Sequence, residues 1–226
     1  MSIFREIVNL WKSEGLLLQA WDESLQMLAL SHKLFNKAVK KSKKQESLSV
    51  LKKLKNRDKE INSYQREVRR KIFTHFAIEQ GTHDITSLMV LVMMIVDIER
   101  IGDYSKNILD LAINYPNALD TTHLHKDLYD IEIEIKERFD HTIDAVKTQD
   151  IKDAVNLLKG FKKHVTGASD RIVNNIIAGN LEFQSGSEAA AIALYARYLK
   201  RIGSHLKNIT TTIVNPIDAI GYRPKK

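Results

Sequence analysis

A ten-residue phrase occurs twice in this chain. Residues 99–108 read ERIGDYSKNI and residues 200–209 read KRIGSHLKNI, identical at six positions and offset by 101 residues. Coincidence between two helical patterns could match Ile and Lys, but it does not easily match Arg, Gly and Asn at fixed offsets as well. A repeat of this length implies a duplicated supersecondary unit, each copy about half of the 226 residues. Both copies carry a glycine in what reads as helix interior, where it costs about 1 kcal/mol relative to alanine. Something in each half must compensate.

The remainder of the chain shows what the unit is. Only three prolines occur, at 116, 216 and 224, and glycine is sparse. Apolar residues recur at three- and four-residue spacing over residues 16–47, including Leu18, Trp21, Leu25, Leu28, Leu34, Phe35 and Ala38. A second stripe covers residues 47–76, and Gly81 with Thr82 or Asp84 marks a stop and a new cap. The third stretch, 84–114, ends before Pro116. The pattern restarts over 120–147, 151–178 and 185–214, the last opened by a Ser-x-x-Glu capping box at Ser185 and Glu188. Helices of roughly 25–32 residues joined by short breaks pack as antiparallel neighbours. The predicted fold is all-α: two tandem three-helix bundles from an internal duplication, residues 1–117 with an N-terminal extension and 118–226 with a C-terminal tail. The nine-residue apolar run 88–96 places the third helix of the first half among the most enclosed. Its counterpart from Ala189 is also apolar all round, so these two helices are expected to pack together.

Composition excludes several function classes. There is no cysteine, which removes disulfides, cysteine-ligated metals and thiol catalysis. No apolar run approaches the roughly 20 residues of a membrane span, and the start does not read as a secretory signal, so a cytoplasmic protein is expected. A ferritin-like di-iron enzyme needs Glu-x-x-His pairs, and none of the eight histidines has Glu three residues before it. No phosphate loop or nucleophile motif is present, so no enzyme is expected. The net charge of +7 is uneven, with fifteen Lys/Arg against four Asp/Glu over residues 33–71. This reads as the solvated face of long helices. The alternative is a basic helical protein that binds nucleic acid or an anionic membrane, though no aromatic interleaving marks a nucleic-acid platform.

Chemistry concentrates in the first copy of the phrase. Glu99 and Asp103 are one helical turn apart, so their carboxylates share a face and repel unless a cation intervenes. A bound metal, Arg100 or a nearby lysine would serve. Asn107 adds an amide one turn on, and Gly102 between the acids lets a neighbouring backbone or a metal approach. Asp58 and Asn62 form a second i,i+4 pair on the preceding helix, read alone as surface charge. Asp120, His123, His125 and Asp127 could ligate zinc but sit where helix caps are normal.

DIERIGDYSKNI, following REVRRKI and GTHDITSLMVLVMMI, resembles the PhoU family of phosphate-uptake regulators, including the group that accompanies sodium–phosphate cotransporters. The resemblance covers residues 16–214. It implies a cytoplasmic, non-enzymatic, dimeric regulator of phosphate homeostasis. Such a protein contacts a phosphate transporter, ABC-type or sodium-coupled, and a sensor kinase, reaching the membrane through its partner and binding no nucleic acid. It also implies metal binding, by iron, zinc or magnesium, through acid-x-x-x-acid motifs. Glu99 and Asp103 match that motif, with Asp58 as the second-helix partner. Lys200 and Ser204 replace the acids in the second copy, and Lys162 stands opposite Asp58, so at most one metal site is expected, in the first bundle. The tryptophans Trp11 and Trp21 belong to a start that packs as an added short helix or offers an aromatic anchor to a partner.

Overall fold

In the computed structural model, residues 5, 7–9, 15–78, 85–115, 117–119 and 126–222 are described. The predicted caps at Gly81, Thr82 and Asp84, and also Trp11, Pro116, Asp120, His123 and His125, lie outside them.

Helix α1, Gly15–Ser42, turns Leu17, Trp21, Met27, Leu28, Leu34, Phe35 and Ala38 inward, which is the apolar stripe of its sequence. The middle element of the first half is two helices rather than the single one predicted. Helix α2, Leu48–Lys55, is capped by the Ser47 hydroxyl, and α3 is Asp58–Ile78. Between them Asn56 and Arg57 close back on Lys52 and Leu54. No glycine or proline marks this break, and Leu51, Leu54 and Ile61 stay buried across it, so one periodic stripe conceals it. Helix α4, Ile85–Asn114, completes the first bundle by packing on α1, α2 and α3.

The second half repeats the plan. Helix α5, Lys126–Thr148, is followed by α6, Ile151–Leu158, a π-helical turn at Lys162–Gly167, and α7, Ala168–Ile177. The predicted continuous helix 151–178 is thus also broken. Gly160 takes a positive φ of 71°, and the Arg138 guanidinium donates to the carbonyls of Leu157 and Lys159 at the end of α6. A left-handed residue ends a helix, and a cation on its last carbonyls stabilises that end. Helix α8, Gly186–Val214, opens on Ser185, whose hydroxyl accepts from the Glu188 amide, while the Glu188 carboxylate accepts from the Gln184 amide. It packs on α5, α6 and α7.

The halves join along α4 and α8, which pack extensively on each other as their apolar sequences foretold. Helix α1 also meets α5: Phe35 stands 5.8 Å from Phe139, and the buried Glu132 carboxylate accepts from Tyr195 at 2.9 Å while pairing with Lys43 at 2.8 Å and Lys136 at 2.7 Å. Burial first, and the Glu132 charge second, push the Tyr195 phenol well above its ordinary range.

The two repeated phrases meet in this seam. Asp97 accepts from Asn208 at 3.0 Å and is paired with His205 at 2.7 Å. Tyr104 and His205, equivalent positions of the repeat, stack with centroids 5.8 Å apart. Equivalent positions in mutual contact are the mark of a pseudo-two-fold axis. The glycines have a shared cause here. A Cβ on Gly102 would stand 2.8 Å from Ile61 Cδ1, and one on Gly203 would stand 2.5 Å from Ile135 Cδ1 and 3.1 Å from Val165 Cγ1. The register that pairs 66–72 with 170–176 also pairs Ile61 with Val165. Each glycine therefore admits the middle helix of its own half at close range.

Candidate functional site

Asp58 is the first residue of α3, where the helix dipole favours an anion. It is buried, because α4 passes over it at Gly102: a Cβ there would be 3.5 Å from Asp58 Oδ1. Asp58 Oδ2 accepts from Asn62 Nδ2 at 3.1 Å and from Lys106 Nζ at 2.9 Å. Lys106 Nζ also reaches Asp103 Oδ1 at 3.0 Å, so one ammonium bridges the predicted acids of α3 and α4. Arg100 completes the charge arrangement, with Nη1 3.2 Å from Asp103 Oδ2 and Nε 3.6 Å from Glu99 Oε2.

The structure thus brings Asp58 and Asp103 onto one cation, with Glu99 one turn away. Burial raises the Glu99 pKa, and the charges of Asp103 and Asp58 raise it further against the opposing pull of Arg100 and Lys106. Burial of the Lys106 ammonium would lower its pKa, but the hydrogen bonds and charges of Asp58 and Asp103 outweigh it and hold it above the ordinary lysine range. Among the described residues no three Asp, Glu or His side chains converge closely enough to hold a metal ion. The donor set nevertheless suits a hard cation. Asp58 Oδ1 and Asn62 Oδ1 are both buried oxygens without a hydrogen-bond partner. Asn107 is half-buried and joins none of these contacts. Sequence reasoning allowed for a nearby lysine but did not single out Lys106, whose i,i+3 relation to Asp103 reads as an ordinary surface pair.

The second bundle replaces this arrangement with its inverse. Lys200 Nζ lies 2.6 Å from Asp170 Oδ1, which Arg197 also reaches at 3.1 Å. Ser204 turns its hydroxyl back to the Lys200 carbonyl at 2.9 Å, and Lys162 is exposed on the π-helical turn. Of the histidine-rich stretch before α5 only Asp127 lies among the described side chains, 3.5 Å from Arg171.

Residues 24–112 match the PhoU domain, and this span holds Asp58, Glu99, Asp103 and Lys106. The match covers most of the first bundle. Among solved structures, PhoU from Pseudomonas aeruginosa is similar with a TM-score of 0.74 and 20% identity, over 88% of this chain and 96% of that one. The phosphate transport system regulatory protein PhoU from Streptococcus pneumoniae is similar with a TM-score of 0.69 and 16% identity, over 92% of this chain and 97% of that one. No curated protein sequence matches the chain. The likeness to the PhoU family read from the sequence therefore holds, in sequence over most of the first half and in fold over nearly the whole chain.

Proposed function

We propose that this protein is a non-enzymatic regulator of phosphate uptake and phosphate homeostasis, working in the cytoplasm as a homodimer by contact with a membrane phosphate transporter, its sensor kinase, or both. The observation that carries this reading is the PhoU domain at residues 24–112 inside a two-bundle PhoU fold. The name of the Streptococcus relative, a phosphate transport system regulatory protein, gives the process. No helix among the described residues is long and apolar enough to cross a membrane. Asp58, Glu99 and Asp103 are the residues that would hold a single metal ion, iron, zinc or magnesium, with Asn62 adding an amide oxygen. The ion would add to the positive charge that Lys106 and Arg100 supply.

Removal of the gene from its host should leave phosphate uptake unrestrained when phosphate is plentiful, and the intact gene should restore restraint. Unchanged uptake of labelled phosphate in the deletion strain overturns the reading. Elemental analysis of protein purified without chelator, compared with Glu99→Ala/Asp103→Ala, tests the metal separately. Equal metal content in both proteins removes the site and leaves the regulatory role standing. Sedimentation velocity tests the dimer.

A further inference from the structure

Of the fifteen basic residues over 33–71, several are neutralised by the fold: Lys43 by Glu132, Lys55 by Asp110, Lys71 by Glu23 and Arg70 by Glu67. A group within residues 40–53 is not. Lys40, Lys44, Lys52 and Lys53 are exposed at the corner where α1 turns into α2, and no carboxylate pairs with any of them among the described residues. The one acid of the corner, Glu46, is held by Lys41. Lys33 and Lys37 continue the exposed row up α1. Helix α2 is fastened to the bundle by the buried Leu51 and Leu54, yet Leu48 and Val50 stand out at 55% and 41% exposure between the lysines. Apolar side chains bound by unpaired lysines on a short surface helix are what an anionic bilayer surface attracts and takes up. Nucleic acid would call for stacking aromatics, and residues 40–53 contain none.

We infer that the α1–α2 corner is a membrane-docking surface, with Lys40, Lys44, Lys52 and Lys53 on anionic lipid headgroups and Leu48 and Val50 entering the interface. The contact needs no transporter, so it stands independently of the proposed regulatory role. It would concentrate the protein on the membrane surface and hold the first bundle facing the bilayer. Each lysine near an anionic surface contributes roughly five-fold in affinity, and four together on the order of 10²- to 10³-fold.

The test is flotation of the full chain with vesicles of phosphatidylglycerol and phosphatidylcholine, against vesicles of phosphatidylcholine alone, at low and physiological salt. Wild-type protein should float with the anionic vesicles only, less so at higher salt. Lys40→Gln/Lys44→Gln/Lys52→Gln/Lys53→Gln should lose at least about 100-fold in affinity, and Leu48→Ser/Val50→Ser should lose several-fold without altering the salt dependence. All six positions are exposed, so far-UV circular dichroism and Tm should match wild type. Absence of flotation by the wild-type protein, equal flotation with neutral vesicles, undiminished flotation of the lysine variant, or tighter binding to double-stranded DNA than to anionic vesicles at the same salt overturns the inference.

Discussion

Gly203→Ala tests why the repeated phrase keeps its glycine. Alanine gains about 1 kcal/mol of helix propensity over glycine, so an exposed site would be stabilised. At Gly203 the new methyl would stand 2.5 Å from Ile135 Cδ1, 3.1 Å from Val165 Cγ1 and 3.2 Å from Phe161 Cε2. Three different side chains would all have to shift, which puts the overpacking cost in the upper part of the usual range of about 1–3 kcal/mol. The net expectation is a loss of about 1–2 kcal/mol, or roughly 2–8 °C in Tm for a chain of this size. Gly102→Ala is the internal comparison. Its closest neighbour is the end of the Ile61 side chain at 2.8 Å, with the next contacts at 3.4 and 3.5 Å. Ile61 can yield by rotation, and the gain and cost then cancel to within about 0.5 kcal/mol. The clash at Gly203 is assigned to one atom by Ile135→Val, which removes Cδ1 and alone costs about 0.5–1.5 kcal/mol. Combined with Gly203→Ala it should cost less than the sum, by about 1 kcal/mol or more. Urea and thermal unfolding of the four proteins measure this. A Gly203→Ala protein as stable as wild type, or strictly additive losses, would refute the packing account.

Four positions in the polar clusters give the remaining expectations. Glu99 has a raised pKa in the folded protein, so the folded state binds its proton more tightly than the unfolded state does; its contribution to stability is favourable at low pH and falls as pH rises through the shifted value. Glu99→Gln should therefore raise the Tm of chelator-treated protein at neutral pH and do so less near pH 4, and the same Tm gain at both pH values refutes this. Lys106 has a raised pKa, so its pairing stabilises the fold below the ordinary lysine range and is lost only above it; Lys106→Met should cost about 1–3 kcal/mol at neutral pH by leaving Asp58 unpaired. Manganese should bind Lys106→Met more tightly than wild type in isothermal titration, and unchanged affinity counts against a shared position for ammonium and metal. Tyr195→Phe removes a hydrogen bond to the buried Glu132 carboxylate and should cost about 1.5–3 kcal/mol in urea unfolding. Lys200→Glu would set a second carboxylate beside Asp170, and because Asp170 is 41% exposed the loss should be no more than about 1 kcal/mol; Asp170→Arg added to it should recover that loss, and a double variant no more stable than the single one refutes the pairing.

Much of the fold was legible because the duplication left six identities in ten positions and kept Gly102 and Gly203 at equivalent points. The breaks in the middle helices were not. Asn56 is only a weak turn signal and Arg57 is none, whereas Gly160 was a visible signal that the apolar stripe overrode. In the site, the i,i+4 spacing placed Glu99 and Asp103 on one face, but Asp58 joins them through the crossing of α3 and α4, which no local pattern encodes. A nearby lysine was foreseen, but the bridge from Lys106 to Asp58 was hidden for the same reason: that contact is 48 residues away. The seam between Asp97 and His205, 108 residues apart, lies further still beyond periodicity. The basic stripe misled in part, because Glu132, Asp110 and Glu23, which neutralise it, come from other elements or from outside the stripe.

The two bundles solve one electrostatic problem with opposite signs. Where the middle and third helices cross, each glycine brings backbone close and leaves little room for water, so charge there must be matched locally. In the first bundle the third helix carries the acids and Lys106 returns from one turn later to bridge them to Asp58. In the second, Lys200 holds the position of Glu99, and its carboxylate partner Asp170 holds the position of Arg66. A lysine at the first position and a serine at the second leave no acid pair on α8 for a metal to bridge, and the exposed Lys162 opposite Asp58 repels one. The second crossing is thereby complete in itself, with its positive group supplied by the chain. The first remains electron-rich, with orphan oxygens on Asp58 and Asn62, and it is the one crossing of the pair where an added cation would still change the balance. Any ligand-dependent behaviour of this chain at its helix crossings should therefore be asymmetric, confined to the bundle that matches the PhoU domain.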